Sequence, residues 1–248
     1  MISIWLGLPG SGKSACAVRY MLSKAKRTTF SNIIMNTKDK MFHELKMDML
    51  VKKELLKTKK DGTPVYEYKS NEEFWKKARK KYGPMNVVLD EAHIIMDSRK
   101  SQSKVNKIMN DTLAVIRRVL GSKDSHSGEM MLITQLDRRI DVIAREMATS
   151  VRYHVCHYVL KCSECKSKFP ENSETPEKLL SCPCCGSTKL NKCNFNIEVW
   201  HYRNMDAYDM WKEYGMRTHH MHYFVRDIEK YFPMYDTEQW ENMLSSLY

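Results

Sequence analysis

Residues Gly7-Leu8-Pro9-Gly10-Ser11-Gly12-Lys13-Ser14 spell a complete G-x-x-x-x-G-K-S phosphate loop, set directly after the apolar run Ile2-Ser3-Ile4-Trp5-Leu6. No other stretch restricts the fold as much, because the loop must turn tightly enough for its backbone N–H groups to converge on phosphates at the start of a helix. That helix is visible in the pattern: Ser14, Ala17, Val18 and Met21 repeat at the i, i+3, i+4, i+7 spacing of a face packed on a sheet. Strand, loop and helix follow in the order an α/β nucleotide site demands. Gly7, Pro9, Gly10, Ser11, Gly12 and Ala15 are expected to cradle the phosphates of ATP. Lys13 would reach the β- and γ-phosphate oxygens, and the Ser14 hydroxyl would ligate Mg²⁺.

A second nucleotide signature lies downstream, where Asn86-Val87-Val88-Leu89 leads into Asp90-Glu91-Ala92-His93. Here a buried strand ends in adjacent carboxylates. Asp90 is expected in the Mg²⁺ coordination shell and Glu91 as the group that polarises the attacking water. The four letters also match a D-E-A-H helicase box, but no second motor domain and no arginine-rich helicase motif accompany them. Asp111 to Leu120 reads as an amphipathic helix carrying Arg117 and Arg118. Met130 to Gln135 then reads as a buried strand with a polar tip, which makes Gln135 either a γ-phosphate sensor or an ordinary strand-end amide. Arg138, Arg139 and Arg145 follow just past the phosphate end of the sheet. One of them can serve as an arginine finger, in cis or toward a neighbouring subunit, while surface salt bridges account for the others.

Charge is unevenly distributed. Lys and Arg exceed Asp and Glu by 41 to 30, and residues 38 to 82 hold 14 of the basic residues against 8 acidic ones. Such an excess favours an acidic partner such as nucleic acid, or simply solubilises the chain. Within that region Lys60-Asp61-Gly62-Thr63 is a turn signal between Glu54-to-Lys59 and Val65-to-Tyr68, the pattern of a hairpin. A helix follows, with Ser70 and Glu73 as a capping box, an apolar side of Phe74, Trp75, Ala78 and Tyr82, and Gly83-Pro84 as its stop. Its other face, with Lys76, Lys77, Arg79, Lys80 and Lys81, is either a solvated surface or a contact for a phosphate backbone. Thr28 to Met35 and Thr149 to Val159 read as further strands. No run approaches the roughly 18 apolar residues that span a bilayer, and Met1 leads straight into the first strand without a cleavable leader. A cytoplasmic protein is expected.

In that compartment cysteines serve metals more often than disulfides. Cys162-x-x-Cys165, sixteen intervening residues and Cys182-Pro183-Cys184-Cys185-Gly186 form two knuckles whose thiolates can face one tetrahedral Zn²⁺. The expected ligands are Cys162, Cys165, Cys182 and Cys185, with Cys184 pointing away. Flanking segments Val151-to-Leu160 and Asn194-to-Tyr202 alternate apolar and polar, so a zinc ribbon at the tip of a β-hairpin is expected. Four thiolates close the coordination sphere, which favours a structural ion over a catalytic one. His219, His220 and His222 lack metal-ligand spacing and read as surface or packing residues. Trp211, Tyr214, Tyr223, Phe224, Tyr231 and Phe232 read as core for a terminal helical layer.

The ordered set GLPGSGKS, VVLDEAH, an Arg-paired helix, LITQ and Ile140-Asp141 followed by Arg145 resembles the zonula occludens toxin (Zot) family of filamentous phages and related archaeal viruses and plasmids. Tyr231-Phe232-Pro233-Met234-Tyr235-Asp236-Thr237 is similar to the stretch that closes that family's ATPase domain. The resemblance implies a RecA-like α/β P-loop ATPase with a central, mostly parallel sheet, of the FtsK/HerA type. It also implies a homo-oligomeric ring such as a hexamer, acting on nucleic acid or a virion protein in virion assembly, genome packaging or DNA transfer. Arg145 would then complete a neighbour's ATP site. Phage members carry a membrane-spanning helix after the ATPase domain and lack the cysteine module. The expected organisation is an ATPase core over residues 1–160, a zinc-ribbon insertion over 161–193, and a strand with helical, aromatic closure over 194–248. Two rival readings stand beside this one: a zinc-containing thymidine kinase-like nucleoside kinase, and a nucleotide-regulated assembly scaffold with little turnover.

Overall fold

The structure is a computed structural model that describes residues 1–23, 27–97, 99, 104–120, 128–135, 137–170 and 181–236. In chain order the elements are β1 (Ile2–Leu6), α1 (Lys13–Ser23), β2 (Thr28–Ser31), β3 (Phe42–Glu44), α2 (Met47–Leu50), β4 (Val51–Thr58), β5 (Pro64–Ser70), α3 (Glu72–Tyr82) and β6 (Met85–Leu89). They continue as α4 (Lys104–Leu120), β7 (Met130–Ile133), α5 (Val142–Met147), β8 (Ser150–Cys162), β9 (Lys168–Pro170), β10 (Leu190–Tyr202), α6 (Met205–Tyr214) and β11 (Met221–Val225). The main sheet runs in the order β11-β10-β8-β1-β7-β6-β2-β3, with β9 on β8. From β8 to β3 every pairing is parallel, and β10 and β11 add antiparallel strands at one edge. The fold is therefore α/β around a mostly parallel central sheet.

Alternation along the central strands sends side chains to two cores. Ile2, Ile4 and Leu6 of β1, Val87 and Leu89 of β6 and Met130 and Leu132 of β7 join Trp75, Met109, Leu113 and Ile116 of the helices on one face. Trp5, Val88, Met131 and Ile133 face the other way, onto Ala17, Val18 and Met21 of α1. Fully burying a Leu, Ile, Val or Met side chain contributes about 1.5–3 kcal/mol, so the sheet is held from both faces. Three layers result, and they place β1's C-terminal end, with the phosphate loop, at the middle of the sheet.

Several boundaries differ from the sequence reading. β2 ends at Ser31 rather than Met35; just beyond it the Asn32 side chain binds the backbone of Asp90. Ser70 stays in β5, and Asn71 caps α3 by accepting the Phe74 N–H at 3.2 Å. α4 begins at Lys104, well before Asp111. The expected turn at Asp61-Gly62 does close a hairpin, β4 with β5, which forms its own two-stranded sheet and leaves Leu55 and Leu56 exposed. Lys76 and Lys77 of α3 pair one turn back with Glu72 and Glu73.

The terminal region follows its expectation in part: α6 and the aromatics Trp211, Tyr223, Tyr231 and Phe232 pack against the two cores. β11 extends the main sheet, and Tyr214 and Phe224 are exposed rather than core. His222 stacks on Trp200 and, with His157, shares the Glu198 carboxylate, so these histidines pack and pair on the sheet surface. Past β11, a 3₁₀ strap (Ile228–Met234) crosses α1 and is tied down near β2, where Asn36 N–H donates to Met234 O at 2.7 Å and Met35 bridges Tyr235. Thr237 lies outside the described residues. No described helix is long and apolar enough to cross a membrane.

Candidate nucleotide site

The phosphate loop joins β1 to α1, and its path is dictated by what surrounds it. Gly12 adopts φ +80°, and a Cβ there would lie 2.4 Å from Cδ1 of Ile197 on β10. A Cβ on Gly7 would lie 2.5 Å from the carbonyl oxygen of His154 on β8. Only glycine fits either position. Lys13 is buried, and its ammonium donates to the carbonyls of Gly7 and Leu8 at 2.9 Å each and approaches Ser11 Oγ at 3.2 Å. Burial holds its pKa below the usual lysine value, against the pull of Asp90 and Glu91. Pro9, Gly10 and Ala15 line the same cleft.

Across the cleft floor, Ser14 Oγ donates to Asp90 Oδ2 at 2.6 Å. Desolvation pushes the Asp90 carboxyl up, and the Ser14 bond opposes that shift. The peptide of Asp90 is gripped by one side chain, since Asn32 Oδ1 accepts its N–H at 2.7 Å while Asn32 Nδ2 donates to its carbonyl at 2.9 Å. Glu91 then turns into the left-handed region at φ +51°, a conformation rare for a side chain of its size. That turn sets the carboxylate against β7: Gln135 Nε2 donates to Glu91 Oε1 at 2.6 Å. The second oxygen, Oε2, is buried and has no hydrogen-bond partner among the described residues, with His93 Nδ1 3.3 Å away. His93 Nδ1 also lies 3.1 Å from Thr134 Oγ1. Burial first, then the charge of Arg139, lowers the His93 pKa and favours the neutral ring.

The structure thus brings together Pro9, Gly10, Gly12, Lys13, Ser14, Ala15, Asp90, Glu91 and Gln135 around one cleft of about 690 Å³, with Gly7 and Ser11 beside it as partners of the Lys13 ammonium. Asn32 lines the cleft as well, and His93 and Thr134 stand behind Glu91; the sequence had singled out none of the three as site residues. Arg145 is elsewhere: its guanidinium donates to Asp209 of α6 at 2.7 Å, and Arg138 pairs with Glu213. Asp141, the other fixed point of that segment, is buried and caps α5 while accepting from Asn110 of α4. Arg139 is one of two arginines, with Arg99, whose charge reaches His93.

The four expected cysteines converge at the tip of the β8–β10 ribbon. Their sulfurs all lie within 4.8 Å of one another, with Cys162 to Cys185 at 3.6 Å and Cys165 to Cys182 at 3.5 Å. Tetrahedral zinc with Zn–S bonds of about 2.3 Å would hold its sulfurs about 3.8 Å apart, so the set fits that ion. The knuckles are built alike: Cys162 N–H donates to Ser167 O and Cys182 N–H to Ser187 O, and the residues after the second cysteines, Lys166 and Gly186, have φ +63° and +73°. Cys184 is exposed and stands outside the cluster.

A phosphate loop after the central strand of a parallel sheet, facing an acidic pair two strands away, is the layout of P-loop nucleotide-binding proteins. The chain belongs to the Zonular occludens toxin (Zot) family, which matches residues 1–220. Among solved structures it is similar to the N-terminal domain of zonular occludens toxin from Neisseria meningitidis, at 14% identity and a TM-score of 0.45, covering 95% of this chain and 98% of that one. It is also similar to the genome packaging NTPase B204 from Sulfolobus turreted icosahedral virus 2 in complex with AMPPCP, at 17% identity and a TM-score of 0.37, covering 61% of this chain and 74% of that one. The same NTPase in complex with ATP-gammaS gives 17% identity and a TM-score of 0.38 over 61% of this chain and 72% of that one. No curated protein sequence matches the chain.

Proposed function

We propose that this protein is an ATP-hydrolysing, RecA-like motor of the Zot type, working in virion assembly, genome packaging or DNA transfer. The observation that carries the hydrolytic reading is Glu91: one oxygen is fixed by Gln135 and the other is buried at the cleft with no hydrogen-bond partner among the described residues. An unsatisfied buried carboxylate oxygen is costly, so a small turn of the side chain that brings it to a water in the cleft would be favoured, and that water could give its proton to it. Lys13 would exchange its loop carbonyls for β- and γ-phosphate oxygens. Ser14 donates its proton to Asp90 and keeps its oxygen lone pairs for a cation, so the pair fits Mg²⁺, which when bound would neutralise charge on the phosphates. Gln135 would report on the γ-phosphate through its bond to Glu91.

The Cys162, Cys165, Cys182 and Cys185 set would hold Zn²⁺ as a local structural ion. The basic excess of residues 38–82 supports nucleic acid as the partner. In a homo-oligomeric ring, Arg145 could reach a neighbour's γ-phosphate only if its pair with Asp209 opened. The test is ATP turnover: Lys13→Ala should abolish it, because Lys13 is the ammonium that lines the cleft. Near wild-type hydrolysis in that variant would refute the assignment.

A further inference from the structure

We propose that the end of the cleft remote from Asp90 and Glu91 receives the base of the nucleotide, with Phe195 of β10 and Phe232 of the strap as the rings that hold it. The inference rests on the nucleotide reading above and says where the rest of the ligand goes. The γ-phosphate must face Asp90, Glu91 and Gln135, which stand at the ends of β6 and β7, on one side of the phosphate loop. The nucleoside then leaves on the other side, toward β8 and β10. There β10 descends directly onto the loop, with Ile197 over Gly12 and Cys156 of β8 opposite Ile197. Phe195 precedes it by two residues and meets Phe232 with ring centroids 5.6 Å apart at 67°.

Among the described lining residues, Cys156, Phe195, Ile197, Ile228 and Phe232 belong to these elements, and none of them is a cation. That wall suits a flat, uncharged heteroaromatic ring and not a phosphate, which needs the Lys13 end. The cleft volume of about 690 Å³ accommodates a nucleoside as well as its phosphates. Phe232 is not a loosely hung ring, because the strap is fastened beyond it by Asn36 N–H to Met234 O at 2.7 Å and Asp236 N–H to Ile34 O at 3.2 Å. Ile94 and Ile95 also line the cleft and follow Glu91 closely in the chain, so they stand on the γ-phosphate side.

The experiment titrates the protein with ATP and, separately, with inorganic tripolyphosphate, both with Mg²⁺. Phe232→Leu and Phe195→Leu keep apolar volume and remove the ring. Each should weaken ATP binding by about tenfold, the scale of one lost base stack, and leave tripolyphosphate binding unchanged. Phe232→Tyr, which keeps the ring, should retain wild-type ATP affinity and so separates loss of stacking from damage to the strap. The inference is overturned if both leucine variants bind ATP as the wild type does, or if ATP and tripolyphosphate weaken alike. It is equally overturned if Ile94→Ala loses ATP affinity and the leucine variants do not, which places the base on the opposite wall. Failure of the wild type to bind either ligand would instead refute the nucleotide site itself, and this inference with it.

Discussion

The phosphate loop and the cysteine knuckles both gather polar atoms out of tight turns, and they are held in opposite ways. At the loop each converging group meets protein: Lys13 has its acceptors, Gly7 lies against β8 and Gly12 lies under Ile197. At the ribbon tip four sulfurs crowd one another with only light support from neighbouring turn groups, such as Glu164 N–H on Cys162 Sγ at 3.4 Å, and Cys165 and Cys185 are exposed. Packing in the sheet is enough to shape the first. The second, in our account, depends on a metal, since thiolates this close repel unless a cation lies between them.

Metal removal should therefore separate the two regions, and it is the largest effect expected. One zinc per chain should be found by elemental analysis, and a strong chelator should raise hydrogen exchange across residues 162–190 while nucleotide binding persists. Structural zinc in small sites is worth about 10–16 kcal/mol of local folding, which is why the tip should open outright. Freshly purified protein without metal, or a chelator that disrupts the phosphate loop equally, would contradict the account.

Acid should act on the other region. Burial pushes His154, whose Nδ1 lies 3.1 Å from Leu6 O beside the loop, down to about 3, and burial with the charge of Arg152 brings His201 to about 4. In the unfolded chain both would take up protons near pH 6.5. Between about pH 6.5 and those lowered values the unfolded state binds more protons, so stability rises with pH and is lost as pH falls below about 6.5. Thermal melting should show a Tm that declines from pH 6.5 to pH 4. A flat profile would mean that these rings do not stay neutral in the fold.

The smallest expected effect lies inside the ribbon. Lys166 holds φ +63° where the matching position of the second knuckle is Gly186. Lys166→Gly should stabilise the first knuckle by about 1 kcal/mol, the scale of the left-handed penalty for a side chain. Competition with a metal chelator would measure it as tighter retention of zinc, and weaker retention would show that the turn is not strained.

What was legible in the sequence follows a physical line. The phosphate loop, the acidic pair and the cysteine knuckles are contiguous, and their chemistry fixes their spacing, so their residues could be named before the fold was known. Asn32 could not, because its grip on Asp90 joins residues 58 apart that no motif links. The same holds for Arg145 and Asp209, 64 residues apart, and for Phe195 and Phe232, which meet only because the strap folds back over α1. Phe224 misled for a related reason: ring content marks burial only on average, and β11 is an edge strand that turns Phe224 outward.

The central claim is that Glu91 activates water in a site otherwise built to bind ATP. Glu91→Gln keeps the shape of the side chain and removes the base. The decisive measurement is ATP affinity and single-turnover hydrolysis in that one variant. The account predicts wild-type affinity with hydrolysis slowed by about 10²–10⁴-fold. Hydrolysis at the wild-type rate, or binding and hydrolysis lost together, would contradict it.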